Sequence, residues 1–155
     1  MNKMKILIPV YNDWQSVFEL LKNINSEVLA LDCEFSVIIV NDTSTENRSE
    51  FPTNLSNLKS IQVINMKKNK GHARCIAVGL KHTNKKEEFD YVIPMDGDGE
   101  DKPEELSLLI KKINEYPNTV VTANRVKRSE GFLFKLCYLV HKYLTLVFTG
   151  QTIKY

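Results

Sequence analysis

Tyr91-Val92-Ile93-Pro94-Met95-Asp96-Gly97-Asp98-Gly99-Glu100 decides how this chain is read: an apolar run passes without pause into a turn holding two carboxylates and two glycines. Short apolar runs of this kind are strands buried on both faces. Similar runs recur at residues 6–10, 35–40, 61–64 and 119–123, so five strands are predicted. Between them lie stretches of helical period. Val17, Leu20, Leu21, Ile24, Val28 and Leu31 share one face, as do Ala73, Ile76, Ala77 and Leu80, and then Leu106, Leu109, Ile110 and Ile113. Residues 47–58 form a weaker helical stretch. Buried strands alternating with amphipathic helices give a mainly parallel sheet with helices on both faces, a three-layer α/β/α domain of the Rossmann-like kind. Ligands of such sheets sit at the carboxyl ends of the strands.

The 155 residues suffice for one domain with a real core, and the 43% apolar and 26% charged shares are those of a folded soluble chain. A net charge of +2 gives no basic face for nucleic acid, so nucleic-acid binding is excluded as a reading. Cys33, Cys75 and Cys137 lie far apart in no metal-ligand spacing, and their odd number points to a reducing, cytoplasmic compartment.

Each strand is followed by polar residues. Asp96 and Asp98, at i and i+2, project to one side of an extended segment and could face one hard cation completed by water and phosphate oxygens. Asp101 to Glu104, with Pro103 in the first turn, reads as a helix start with an acidic cap. The alternative is a solvated acidic turn that merely caps that helix. The first strand ends in Pro9-Val10-Tyr11-Asn12-Asp13 and the second in Val40-Asn41-Asp42-Thr43-Ser44. Such a crevice can take a nucleobase, or else Asp13, Asp42 and Ser44 simply cap helices. Lys67-Lys68-Asn69-Lys70-Gly71-His72-Ala73-Arg74 is a basic turn opening a helix, suited to a phosphate or to solvent. It has neither P-loop nor dinucleotide glycine spacing. Arg125 and Arg128 follow the fifth strand, within reach of a diphosphate. His72 and His141 are read as structural or exposed.

In this order, Ile8-Pro9-Val10-Tyr11-Asn12, Val40-Asn41-Asp42-Thr43-Ser44, Asn69-Lys70-Gly71, Asp96-Gly97-Asp98-Gly99-Glu100, Pro103-Glu104 and Arg125 resemble the family 2 glycosyltransferases of GT-A fold. The likeness is greatest to the polyprenyl-phosphate sugar transferases, the dolichol-phosphate mannose synthase type. It covers essentially the whole chain. It implies a nucleotide-diphosphate sugar as donor, a polyprenyl phosphate as acceptor, and inversion at the anomeric carbon. By the same resemblance Pro9, Tyr11 and Asp42 line the base pocket and Asp96 contacts the nucleotide. Asp98, with Asp96, holds Mg²⁺ or Mn²⁺, and Arg125 holds the phosphates. Asn12, Asp13, Asn69 and Gly71 complete the implied substrate-binding set. Asn41, Asp13 and Glu100 stand where the family usually has Asp, Glu and Gln.

Residues 1–130 are thus expected to form the nucleotide-sugar-binding domain, and 131–155 an apolar C-terminal helix of the same domain, facing a membrane surface or a partner such as a second copy. Family members continue well past Gly150 into acceptor-binding segments that supply a carboxylate base, and no base is named from this sequence. The other reading is a shortened, non-catalytic nucleotide-sugar-binding module that acts through a partner chain.

Overall fold

The computed structural model describes residues 1–46, 50–86, 88–123 and 132–150. Strands β1 (Asn2–Val10), β2 (Cys33–Asn41), β3 (Ser60–Asn65) and β4 (Tyr91–Pro94) pair in parallel in the order β3-β2-β1-β4. The register sets Ile6 against Val37 on one side and Ile93 on the other, with Val37 in turn against Ile61. The chain winds outward from β1 to β2 and β3, then returns to β4 on the far side of β1. The strand order therefore reverses between β1 and β4, the switch point at whose carboxyl ends open α/β sheets form their ligand crevice.

Helix α1 (Trp14–Glu27) connects β1 to β2. Asp13 starts it, its carboxylate accepting the Ser16 N–H over 3.4 Å, and Val17, Leu20, Leu21 and Ile24 are buried as the period predicts. Helix α2 (His72–Lys86) connects β3 to β4. Its buried stripe differs from the predicted one: Cys75, Gly79 and Thr83 face inward, while Ala73, Ala77 and Leu80 are exposed. The reason is proximity rather than hydrophobicity. A methyl group at Gly79 would lie 2.3 Å from Leu7 Cδ1, so a ridge of small residues lets α2 approach the sheet closely.

Helix α3 (Leu106–Glu115) buries Leu106, Ile110 and Ile113 and follows a 3₁₀ turn, Pro103–Glu105. Pro103 and the acidic Glu104 and Glu105 fill that first turn as expected, but its cap position is Lys102, which makes no side-chain cap bond. Asp101 is engaged elsewhere.

Two further expectations are corrected. Residues 119–123 form no strand: Asn118 takes a left-handed φ of +61°, Thr119 Oγ1 bonds back to the Tyr116 carbonyl, and Val120 is exposed. Within the weak helical stretch, the described residues 50–58 are irregular, with Pro52 early in them and Asn54 at φ +69°.

The core is two-sided. Leu7, Ile38, Val40 and Cys75 form one buried layer, and alternation turns Ile8 to the other side, where it and Val17 of α1 close on Gly97. Ile6, Leu7, Ile8, Val37 and Ile39 are fully buried, each worth roughly 1.5–3 kcal/mol of burial. The sheet is thus held by its aliphatic centre, and its strand ends are free to carry polar groups.

The chain divides into two compact units, Met1–Thr119 and Val120–Tyr155. The second contains α4 (Phe132–Thr149), on which Leu136, Cys137, Val140, His141, Leu144 and Phe148 line an apolar groove. Among the described residues no helix is long and apolar enough to cross a membrane.

Candidate functional site

Four loops leave the carboxyl ends of the strands, and polar contacts join them into a ring. Asn12, after β1, binds the loop after β2: its Oδ1 accepts the N–H groups of Thr45 (2.8 Å) and Glu46 (3.2 Å), and its own N–H donates to Ser44 Oγ (3.0 Å). The β2 loop binds the loop after β3. Asn41 Nδ2 donates to Asn65 Oδ1 over 2.9 Å, Thr43 Oγ1 donates to the Met66 carbonyl, and Asp42 accepts the N–H groups of Lys70 (2.8 Å) and Gly71 (2.7 Å). The β3 loop reaches the loop after β4 through His72, whose Nε2 lies 2.6 Å from Asp96 Oδ1. The ring closes where Gly97 meets β1: a methyl group there would lie 2.9 Å from Val17 Cγ2 and 3.2 Å from the Pro9 carbonyl.

The backbone pays for this closure in left-handed residues. Asn12 (φ +52°), Thr43 (+63°), Gly71 (+83°) and Gly99 (+81°) fall one on each loop. For Thr43, a β-branched residue, that conformation is an outlier, and strain of this kind concentrates at binding sites.

The Asp96–Glu100 turn is pinned at both ends. The Asp96 N–H donates to Asp101 Oδ2 over 2.8 Å, and the Glu100 N–H donates to Asp98 Oδ1 over 2.9 Å. Asp101, expected as a helix cap, is therefore the clip of this turn. Asp96 is half exposed and Asp98 exposed, so both carboxylates border solvent at the mouth of the crevice.

The predicted site residues divide by what occupies them. Pro9 is buried and meets the crevice through its carbonyl, while Tyr11 is 51% exposed beside it. Asn12 and Asp42 are engaged in holding loops, Asp42 being 3% exposed. Asp13 caps α1. Asn69 and Gly71 sit exposed in the basic turn with Lys67, Lys68 and Lys70, just ahead of the α2 N-terminus. Arg125, with the rest of 124–128, lies outside the described residues. His72, Asn65 and Asp101 are site residues that sequence reading did not assign to the crevice.

Cys75 lies one turn into α2, beneath the ring. Burial, with the Asp42 carboxylate beside it, pushes its thiol up to about 11. It is an inert core thiol. Among the described residues no group of three or more His, Cys, Asp or Glu side chains could hold a metal ion by itself. Two carboxylates at a crevice mouth fit a hard cation that takes its remaining ligands from water and phosphate, as Mg²⁺ commonly does.

Solved structures with the same fold include S. aureus TarS (TM-score 0.55, 22% identity), which matches over 81% of this chain and 24% of its own. TarS 1-349 in complex with UDP-GlcNAc (TM-score 0.54, 23% identity) matches over 82% of this chain and 37% of its own. The same fragment in complex with UDP (TM-score 0.56, 23% identity) matches over 82% and 38%. The present chain thus spans well under half the length of these proteins. Its residues 5–143 match the family described as Glycosyl transferase family 2. With that match running from the first strand into α4, over a parallel α/β sheet of GT-A type, the chain belongs to glycosyl transferase family 2.

Proposed function

We propose that this chain binds a nucleotide-diphosphate sugar in the crevice between β1 and β4 and is the donor-binding part of a glycosyltransferase. The observation that carries the reading is the Asp96-Gly97-Asp98 turn: it leaves β4 at the point where strand order reverses, and Gly97 presses it against the Pro9 carbonyl of β1. Family membership and structural neighbours solved with UDP-GlcNAc and UDP support a nucleotide-sugar ligand.

In this reading Pro9, Tyr11 and the β2 loop that carries Asp42 border the base, and Asn69, Gly71 and the nearby lysines meet phosphate oxygens at the start of α2. Asp98, with Asp96, holds Mg²⁺ or Mn²⁺, an ion that would neutralise charge growing on the departing diphosphate. Asp101 and Asn12 hold the backbone of the site. They keep the turn and the neighbouring loop in place, so that the carboxylates meet the donor without reorganising.

The acceptor we propose is a polyprenyl phosphate at a membrane surface, attacking the anomeric carbon with inversion. Its support is α4, where Leu139, Val140, Tyr143, Val147 and Phe148 are each at least half exposed. A phosphate that arrives ionised needs little help from a base.

The test is calorimetric titration of UDP- and GDP-sugars with and without Mn²⁺, on the wild-type chain and on Asp98→Ala. Metal-dependent binding is expected in the wild type and its loss in the variant, with the melting temperature nearly unchanged because Asp98 is exposed and its bond from the Glu100 N–H is local to the turn. No binding in any combination would overturn the donor reading. Binding without transfer or hydrolysis of the sugar would favour the non-catalytic module.

A further inference from the structure

β3 and β4 are the two edges of the sheet, yet the loops that follow them meet, through His72 Nε2 and Asp96 Oδ1 at 2.6 Å. His72 opens α2, which packs on β1 and β2, and Asp96 follows β4, so the contact joins the start of that helix to the acidic turn. The contact is a hydrogen bond between an imidazole nitrogen and a carboxylate oxygen, in which Nε2 is the donor when the carboxylate is ionised. Asp96 is then fixed from two directions, by His72 at Oδ1 and by Asp101 at its own N–H.

We propose that His72 is the positioning residue of the donor site: it orients the Asp96 carboxylate so that one oxygen is committed to the ring contact and the other is presented to the metal–nucleotide diphosphate. This rests on the donor-site reading above. The side chains are 56% and 51% exposed, so the contact adds little to stability, and its effect falls on the ligand. Groups that orient a metal-binding carboxylate typically change metal affinity by about 10- to 100-fold when removed.

Binding of Mn²⁺ with UDP, and separately with GDP, is measured by calorimetry on wild type, His72→Ala and His72→Gln, together with the melting temperature of each. His72→Ala is expected to raise the Kd of the nucleotide that binds by about tenfold with no change in melting temperature. His72→Gln, whose amide offers an N–H near the Nε2 position, is expected to restore most of that loss. Equal Kd values in wild type and His72→Ala overturn the inference while leaving the donor reading intact. Wild-type protein that binds neither nucleotide with Mn²⁺ overturns both. A readout that needs no ligand is the ¹⁵N spectrum of the imidazole: a proton on Nε2 is expected, and a neutral ring carrying it on Nδ1 overturns the inference regardless of binding.

Discussion

Asp42 Oδ2 accepts the main-chain N–H of Gly71 over 2.7 Å, tying together two loops that lie 29 residues apart in the chain. The second oxygen takes the Lys70 N–H at 2.8 Å, so one buried carboxylate holds the whole entry to α2. Hydrogen bonds to a charged acceptor contribute about 1.5–3 kcal/mol each, less where the donor is partly wet. Asp42→Ala is therefore expected to lower unfolding free energy by about 2–4 kcal/mol in urea titration. Asp42→Asn, which keeps one acceptor, should lose less. Equal stability of Asp42→Ala and wild type would show that the latch carries no load.

How much of this was legible beforehand depends on the range of the interaction. Strands at 6–10, 35–40, 61–64 and 91–95 were readable from their short apolar runs, although the edge strand at 61–64 is only half-buried, and the buried faces of α1 and α3 from their helical period. The face of α2 was not: Cys75, Gly79 and Thr83 are inward because they are small, and an apolar pattern cannot register closeness. At the site, the place of Asp96 and Asp98 followed from their position after a strand. The engagement of Asn12 with Thr45, of Asp42 with Gly71 and of His72 with Asp96 did not, since each joins loops that only the folded sheet brings together.

Asn12 separates backbone strain from loop clasping. It stands at φ +52° and holds the Thr45 and Glu46 amides, so Asn12→Gly removes only the clasp whereas Asn12→Ala also adds strain. Alanine is expected to be the more destabilising of the two by about 1 kcal/mol. In both variants hydrogen exchange at the Thr45 and Glu46 amides should quicken, while amides inside β1 remain protected. Unchanged exchange at those two positions would mean that the loop is held by something other than Asn12.

The two glycines of the acidic turn should fail differently. Gly99 has open space around its Cα but a φ of +81°, so Gly99→Ala costs conformational strain alone, about 1 kcal/mol. Gly97 is without that φ but meets Val17 Cγ2 and the Pro9 carbonyl, and a carbonyl of a central strand cannot give way as a side-chain tip can. Gly97→Ala is expected to push the turn off β1, costing about 1–3 kcal/mol and weakening Mn²⁺-dependent nucleotide binding more than Gly99→Ala does. The reverse order of effects on binding would mean that the turn is not seated by Gly97.

Cys75 makes a prediction in alkaline solution. Its folded thiol titrates near 11 against an ordinary value of 9.0, so between those values the unfolded chain releases a proton that the folded chain keeps. Stability attributable to this group is complete below pH 9 and falls as the pH rises toward 11, by roughly 1.4 kcal/mol per pH unit. Lysines and tyrosines titrate in the same range, so the measurement is a difference: urea unfolding of wild type minus Cys75→Ala across that window. Wild type should lose stability faster than the variant, since alanine has no proton to release, and the two curves should run parallel below pH 9. Parallel curves throughout would mean that the thiolate forms as readily in the folded chain as in the unfolded one, and that water reaches Cys75 beneath the ring of loops.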